Sequence, residues 1–361
     1  MDIEKIIKAY DNPDKLINLI KEITPTDRKI KIMNVCGSHE HTITFSGMRS
    51  ILPDNIELIP GPGCPVCVCS ESDIINAINL SKREDTILVT YGDMLRVPTG
   101  IGSIRTEGKN YKMVSAPHEI TKIAQQNPDK NVVFFSIGFE TTTAPTAAFL
   151  EIGVPKNVTV LTSQKLTPEI MDILVEDTEI GIDAFIAPGH VSAIVGANAW
   201  KKFPEKHKIP TVVAGFEPEN LLLAIAVIIL QLVNKKPSLE NVYRGVVKNE
   251  GNRKALELIY KYFEKTDVNW RGIGYIPNSG LDFKEEFGIL DARKRFELPQ
   301  IEEKKIRDCI CDKIILGKAY PSECKLFGKA CTPGNPKGPC MVSGEGACNI
   351  WYRARKSQQG V

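Results

Sequence analysis

Residues 132–151 read Val132-Val133-Phe134-Phe135-Ser136-Ile137-Gly138-Phe139-Glu140-Thr141-Thr142-Thr143-Ala144-Pro145-Thr146-Ala147-Ala148-Phe149-Leu150-Glu151. The opening run, Val132–Ile137, is apolar almost throughout and does not alternate with polar residues, so both of its faces need cover, as in a parallel sheet. Gly138 interrupts it, and helical sequence follows to about Glu151. This is a strand, a tight turn and a helix. The same unit recurs on both sides, from Lys29 to about Val233. Upstream, the strand Ile30–Val35 runs into Cys36-Gly37-Ser38-His39, and Ile56–Ile59 precedes Pro60-Gly61-Pro62-Gly63-Cys64. Ser70 or Ser72 then caps a helix through about Lys82. Thr86–Tyr91 reads as a third strand and Lys112–Val114 as a weaker fourth. Downstream, Val158–Leu161, Ala184–Ala187 and Thr211–Val213 are strands followed by helical sequence. The turn Gly215-Phe216-Glu217-Pro218 echoes Gly138-Phe139-Glu140, and Pro218 suits the first turn of the helix carrying the apolar run Leu221–Val233.

Alternating strands and helices predict an α/β fold with parallel sheets and right-handed crossovers. Two sets of units predict two α/β domains, near 28–120 and 128–234. Beyond them the strand signal fades. Asn252–Lys265 and Phe283–Phe287 look helical. Residues 240–361 are therefore expected to form a mostly helical, metal-tied third domain, with 1–27 as a candidate addition to it.

The chain has 361 residues and 42% apolar content, enough for two or three cores. Lys and Arg number 46 against 44 Asp and Glu, a net charge of +2, which leaves no electrostatic footprint for nucleic acid or an anionic membrane. The N-terminal stretch MDIEKIIKAYDNPDK lacks the apolar segment of a signal peptide, and Leu221–Val233 is too short to span a bilayer. A cytoplasmic location is expected. There, ten cysteines argue for metal ligands or redox thiols rather than a disulfide framework. Disulfide-rich intracellular proteins of hyperthermophiles are the exception.

Ligands of open parallel sheets sit beyond the carboxyl ends of strands. Cys36 with His39 and His41, Cys64 with Cys67, and Pro188-Gly189-His190 all fall there. A thiol after a strand and near a helix N-terminus is expected to have a lowered pKa. Cys36, His39 and His41 combine sulfur with imidazole, a set suited to iron, zinc or copper. Alternatively, the two histidines bond loop backbone and Cys36 is inert. Cys64 and Cys67 form a C-x-x-C that suits a redox dithiol or half a zinc site. No second pair follows nearby, which favours the dithiol. Cys69 is either a resolving thiol or packed.

Cys324, Cys331, Cys340 and Cys348 are separated by six, eight and seven residues rich in Gly and Pro. So little apolar bulk cannot hold the segment by burial, and four thiolates on a metal centre would tie it down. The wide spacing suits a cubane; structural zinc or two disulfides are the alternatives. Cys309 and Cys311, just upstream, are a second redox pair or spare. Glu140 sits where a helix N-terminus favours a carboxylate, and its strand-end position also allows proton transfer. His190 carries the same two readings. Lys165 and Arg96 read as solvated or paired. No phosphate-binding glycine loop is present, so nothing argues for a nucleotide.

Together, Cys36-Gly37-Ser38-His39-Glu40-His41, Gly61-Pro62-Gly63-Cys64-Pro65-Val66-Cys67-Val68, Gly138-Phe139-Glu140-Thr141-Thr142 and Pro188-Gly189-His190-Val191-Ser192 resemble the signature segments of the HypD family of [NiFe]-hydrogenase maturation factors. So do Pro321-Ser322-Glu323-Cys324, Ala330-Cys331-Thr332-Pro333, Cys340-Met341-Val342-Ser343 and Glu345-Gly346-Ala347-Cys348. The resemblance covers nearly the whole chain. It implies two related Rossmann-like α/β domains and a C-terminal domain holding a [4Fe–4S] cluster. It also implies a scaffold on which a transient Fe(CN)₂CO unit is built. HypC would share the iron, and HypE would deliver cyanide, with HypF upstream. By the same resemblance Cys36 is the iron ligand with His39 near it, Cys64 and Cys67 are the redox dithiol, and Cys324, Cys331, Cys340 and Cys348 bind the cluster. Cys309–Cys311 fits a common family pattern, and Cys69 lies outside the core motif. Glu140 and His190 complete the candidate catalytic set. These features suggest a redox-active assembly scaffold more than a turnover enzyme. The competing readings are a stand-alone Fe–S thiol–disulfide oxidoreductase and a binding protein with structural zinc.

Overall fold

The structure is a computed structural model that describes residues 3, 6, 7, 12–303 and 306–358. Its strands are β1 (Ile30–Asn34), β2 (Ile56–Pro60), β3 (Thr86–Thr90), β4 (Tyr111–Met113), β5 (Asn131–Gly138), β6 (Val158–Lys165), β7 (Ala184–Pro188), β8 (Thr211–Ala214), β9 (Leu239–Asn241), β10 (Phe263–Trp270) and β11 (Gly274–Phe283). They form two sheets. One has the order β2-β1-β7-β8-β9 and the other β10-β11-β6-β5-β3-β4. The first is parallel throughout. In the second, β4, β3, β5 and β6 are parallel and the β10–β11 hairpin is added antiparallel to β6.

The α/β class with parallel sheets is as expected, but the strands are not shared out as the two consecutive sets suggested. β1 and β2 pair with β7 and β8, whereas β3 and β4 join β5 and β6. The chain therefore crosses between sheets after β2, after β6 and after β9. Each strand is a buried run, so local pattern cannot tell which sheet it enters. The stretch after 240 is also not mostly helical. Arg253–Tyr262 is a helix, but Phe263–Trp270 and Gly274–Phe283 are strands.

Alternation along each strand builds three cores. Ile30, Ile32, Ala184, Ile186, Val212 and Ala214 face outward under the helix Pro218–Val233. Val132, Phe134, Val158 and Val160 face outward on the other sheet. Met33, Phe185, Val213, Leu88, Val133, Phe135 and Leu161 face inward into one core between the sheets, which also takes in Cys331, Cys340 and Cys348. The helix Pro13–Ile23, capped by Asn12, packs its Leu16, Leu19 and Ile20 with the Pro218–Val233 helix rather than with the tail. Pro218 opens its helix, and Ser70 caps Glu71–Lys82 by accepting from Asp73 N. No helix among the described residues is long and apolar enough to cross a membrane.

Because β1, β2, β7 and β8 are parallel neighbours, their carboxyl ends share one edge. Cys36, Gly61–Cys64, His190 and Phe216 therefore converge there. The C-terminal helix Ala347–Gln358 packs over this edge, with Trp351 Nε1 donating to Glu40 Oε1 at 2.6 Å.

Candidate functional site

Cys36 is the N-cap of the helix Gly37–Phe45. Two glycines let other backbone come close. A Cβ on Gly37 would lie 2.5 Å from Glu345 Cβ, and one on Gly63 would overlap the Cys36 backbone. Gly37 N donates to Gly63 O at 3.3 Å, joining the two cysteine loops. Cys64 caps the short helix Pro65–Val68 and is disulfide-bonded to Cys67, with Cα atoms 5.3 Å apart.

Cys36, Cys64, Cys67 and Cys340 line one small cavity, together with Asn34 and Glu345. Its volume is about 10 Å³, close to the space of one water-sized group. The Cys36 thiol is not activated as its position suggested. Burial pushes it up to about 11, aided by Glu345, against the lowering effect of the His39 and Ser38 N–H groups. A helix N-terminus is visible in the sequence; the desolvation that outweighs it is not.

His39 is fully buried, and Nε2 lies 3.2 Å from Ala214 O. A carbonyl accepts only from a protonated nitrogen, so Nε2 carries the proton and Nδ1 is a bare acceptor. Nδ1 has no hydrogen-bond partner. Burial lowers the pKa of His39 to about 4, keeping the ring neutral at pH 7. Phe216 lies between His39 and His190, with ring centroids 5.0 and 4.0 Å away. His41 instead stacks on Phe45 at 4.3 Å, on the exposed side of its helix.

Glu140 belongs to a different arrangement. It is 2% exposed, accepts from Thr167 N at 2.8 Å and Thr167 Oγ1 at 2.9 Å, and does not line the Cys36 cavity. Burial raises it to about 7. Its neighbours Thr141 and Thr142 line an open cavity of about 680 Å³ with Glu345 and Val66. Cys69 is packed: its sulfur lies 3.4 Å from Ser163 Oγ, and burial pushes it up to about 12. Lys165 Nζ donates to Asn269 O, and Arg96 to Pro333 O and Val342 O. Both are paired, as their sequence suggested.

In the tail, the sulfurs of Cys311, Cys340 and Cys348 lie within 4.8 Å of one another. This differs from the expected set of Cys324, Cys331, Cys340 and Cys348. Cys340 and Cys348 are common to both. Cys324 Sγ instead lies 4.0 Å from Asp308 O, and Cys331 Sγ accepts from Lys337 N at 3.3 Å. Thiol donors on Cys311 and Cys348 hold Cys340 down to about 5, while Cys348 is pushed up. One thiolate stabilised by two thiols is a soft donor set that could bind a metal ion.

The C-x-C marked Cys311 as half of a redox pair with Cys309, not as a neighbour of Cys340 and Cys348. Glu40 and Asn34 carried no signal in the sequence. Buried Glu40 accepts from Asn34, Thr44, Arg49 and Trp351 and so ties the Cys36 helix to the tail.

A family model, HypD, described as the hydrogenase formation hypA family, matches residues 12–355. The hydrogenase maturation factor HypD of Azotobacter vinelandii is 42% identical over 348 residues, 92% of each chain. That of Cupriavidus necator is 38% identical, over 90% of this chain and 89% of its own. The Escherichia coli factor is 36% identical, over 98% of this chain and 99% of its own. The chain belongs to the HypD family of hydrogenase maturation factors.

Proposed function

We propose that this protein is the scaffold on which the Fe(CN)₂CO group of a [NiFe]-hydrogenase is assembled, in the cytoplasm, with HypC sharing the iron and HypE, fed by HypF, delivering cyanide. The observation that carries the reading is the single cavity lined by Cys36, Cys64, Cys67 and Cys340. It brings together a thiol for the iron, a disulfide and a thiol of the tail group.

Cys36 is the proposed iron ligand. Cyanide and carbon monoxide are strong-field ligands for low-spin Fe(II), and a thiolate completes such a unit. Binding must displace the Cys36 proton, which the metal's charge favours. His39, three residues on in the helix that Cys36 caps and packed on Phe216, is a neutral imidazole with a free Nδ1 acceptor. The Cys64–Cys67 disulfide takes up two electrons and two protons when it opens, matching the two-electron reductions that ligand assembly needs.

The tail thiols are the proposed holders of a [4Fe–4S] cluster, with Cys324, Cys331, Cys340 and Cys348 as its ligands. Converging thiols with Cys340 held as a thiolate fit such a group. When bound, it would supply single electrons.

The test is co-production of Cys36→Ala with HypC, followed by infrared spectroscopy of the purified complex. The CO and CN stretching bands should disappear from the variant. Bands of wild-type intensity would overturn the ligand assignment.

A further inference from the structure

The assembly reading leaves Cys309 without a task, and its four cluster ligands omit Cys311, the thiol that lies with Cys340 and Cys348. The Cys309 and Cys311 sulfurs are 3.2 Å apart, separated in sequence by Ile310 alone. Both pack on Gly338, where a Cβ would lie 2.5 Å from Cys311 Sγ and 2.8 Å from Cys309 Sγ. Only a residue without a side chain leaves room for the pair. Both thiols also line a largely apolar cavity of about 590 Å³, with Ile273, Tyr275, Ile301 and Ile306 among its other walls. A disulfide-bearing molecule has access to them from there.

Cys311 belongs to two groups at once. It pairs with Cys309, and it is the third member of the set with Cys340 and Cys348. A sulfur engaged in a disulfide is no longer a thiolate and gives up its strength as a metal donor. An S–S bond is about 2.05 Å long. The two sulfurs need to approach by about 1.2 Å, within the reach of side-chain rotation.

We propose that Cys309 and Cys311 are a redox switch on the tail's metal site: closing a 309–311 disulfide withdraws Cys311 from the donor set it forms with Cys340 and Cys348. The proposal rests on the reading of Cys340 and Cys348 as metal donors. The oxidant is a disulfide entering the cavity. Cys309, protonated as the donor to Cys311, loses its proton as it attacks one sulfur of that disulfide and releases one thiolate. The Cys311 thiolate then attacks the Cys309 sulfur of the mixed disulfide and releases the second. Two electrons and two protons pass from the pair to the incoming disulfide, which leaves as two thiols. Reduction by a dithiol runs the same steps backward and restores the third donor.

The test uses the full chain, reduced and metal-free under anaerobic conditions, with Co²⁺ as the metal probe and glutathione disulfide as the oxidant. Thiolate-to-cobalt absorption reports binding, and peptide mapping by mass spectrometry reports the disulfide. Oxidised wild type should carry a 309–311 disulfide and bind Co²⁺ at least about tenfold more weakly, since loss of a mere outer-shell partner already costs about 10–100-fold. Cys309→Ser retains the three donors, so it should bind Co²⁺ like reduced wild type and keep it after oxidant. Absence of the 309–311 disulfide, or equal loss of Co²⁺ from Cys309→Ser, overturns the switch. A mapped disulfide with unchanged Co²⁺ affinity overturns the switch while leaving the donor reading intact. Reduced wild type that binds no Co²⁺ overturns the donor reading itself.

Discussion

Replacing Glu40 should loosen the tail from the body of the protein. Oε1 accepts from Thr44 Oγ1 at 3.0 Å, Arg49 Nη2 at 3.0 Å and Trp351 Nε1 at 2.6 Å. Oε2 accepts from Asn34 Nδ2 at 3.0 Å and Arg49 Nη2 at 2.8 Å. Removing one partner of a buried ion pair costs about 3–5 kcal/mol, because the remaining charge is left buried. The Arg49 side chain keeps 23% of its exposure and can partly rehydrate, which places the ion-pair part near the low end. The Asn34 and Trp351 donors lose an acceptor as well, at about 1 kcal/mol or more each. Glu40→Ala should therefore cost about 5 kcal/mol. Glu40→Gln keeps the shape and one acceptor oxygen and should cost about half as much. Urea unfolding of the reduced protein gives the difference from the midpoint shift at constant slope. The chain has three tryptophans, so the fluorescence difference between wild type and Trp351→Phe isolates Trp351 and reports whether the tail releases first. A double-mutant cycle with Trp351→Phe should return a coupling of about 1 kcal/mol. Stability of Glu40→Ala within about 0.5 kcal/mol of wild type, a change typical of an unconstrained surface site, would show that Glu40 does not hold the tail.

Three further outcomes are expected. Glu140 is raised from 4.5 to about 7 by burial, so its folded form holds the proton more tightly. The associated stability is present below the unfolded value and is lost as pH rises through about 7, a difference of about 3 kcal/mol. Glu140→Gln should therefore equal wild type near pH 4 and exceed it at pH 8 in denaturation midpoint; a wild type that is the more stable at pH 8 contradicts this. Alkylation of Cys36 in reduced, metal-free protein, followed on its own peptide, should keep rising about tenfold per pH unit up to about 11. A plateau below pH 9 would mean the thiol is not desolvated. Gly37→Ala places a Cβ 2.5 Å from both Glu345 Cβ and Glu345 O and should cost about 1–3 kcal/mol, read by thermal or urea unfolding; an unchanged midpoint would show that the loop yields freely.

The βα units were legible because runs such as Val132–Ile137 and Ile30–Val35 are buried on both faces and end in Gly or Cys. Ser70 and Pro218 marked their helix starts for local reasons that survive in the fold. Sheet membership was not legible. Pairing β1 with β7 joins residues about 150 positions apart, and no local pattern encodes that choice. The β10–β11 hairpin was hidden because β10 follows the helix Arg253–Tyr262 without a break and carries Glu264, Lys265, Asp267 and Asn269 on exposed or half-exposed positions. At the site, strand ends correctly gathered Cys36, Cys64 and Cys67. Spacing could not reveal which tail sulfurs converge, since Gly- and Pro-rich chain bends freely. Cys311 therefore took a place expected of Cys324 or Cys331. Glu140 shows the same limit: its position allowed a structural or a proton-transfer role, and the hydrogen bonds from Thr167 that satisfy its carboxylate come from a partner no local pattern marks.

Purification without oxygen, followed by measurement of iron, acid-labile sulfide and zinc per chain, decides whether the tail thiols hold an iron–sulfur cluster. About four irons and about four sulfides with little zinc are expected. Zinc without sulfide, in protein never exposed to air, would overturn the cluster assignment.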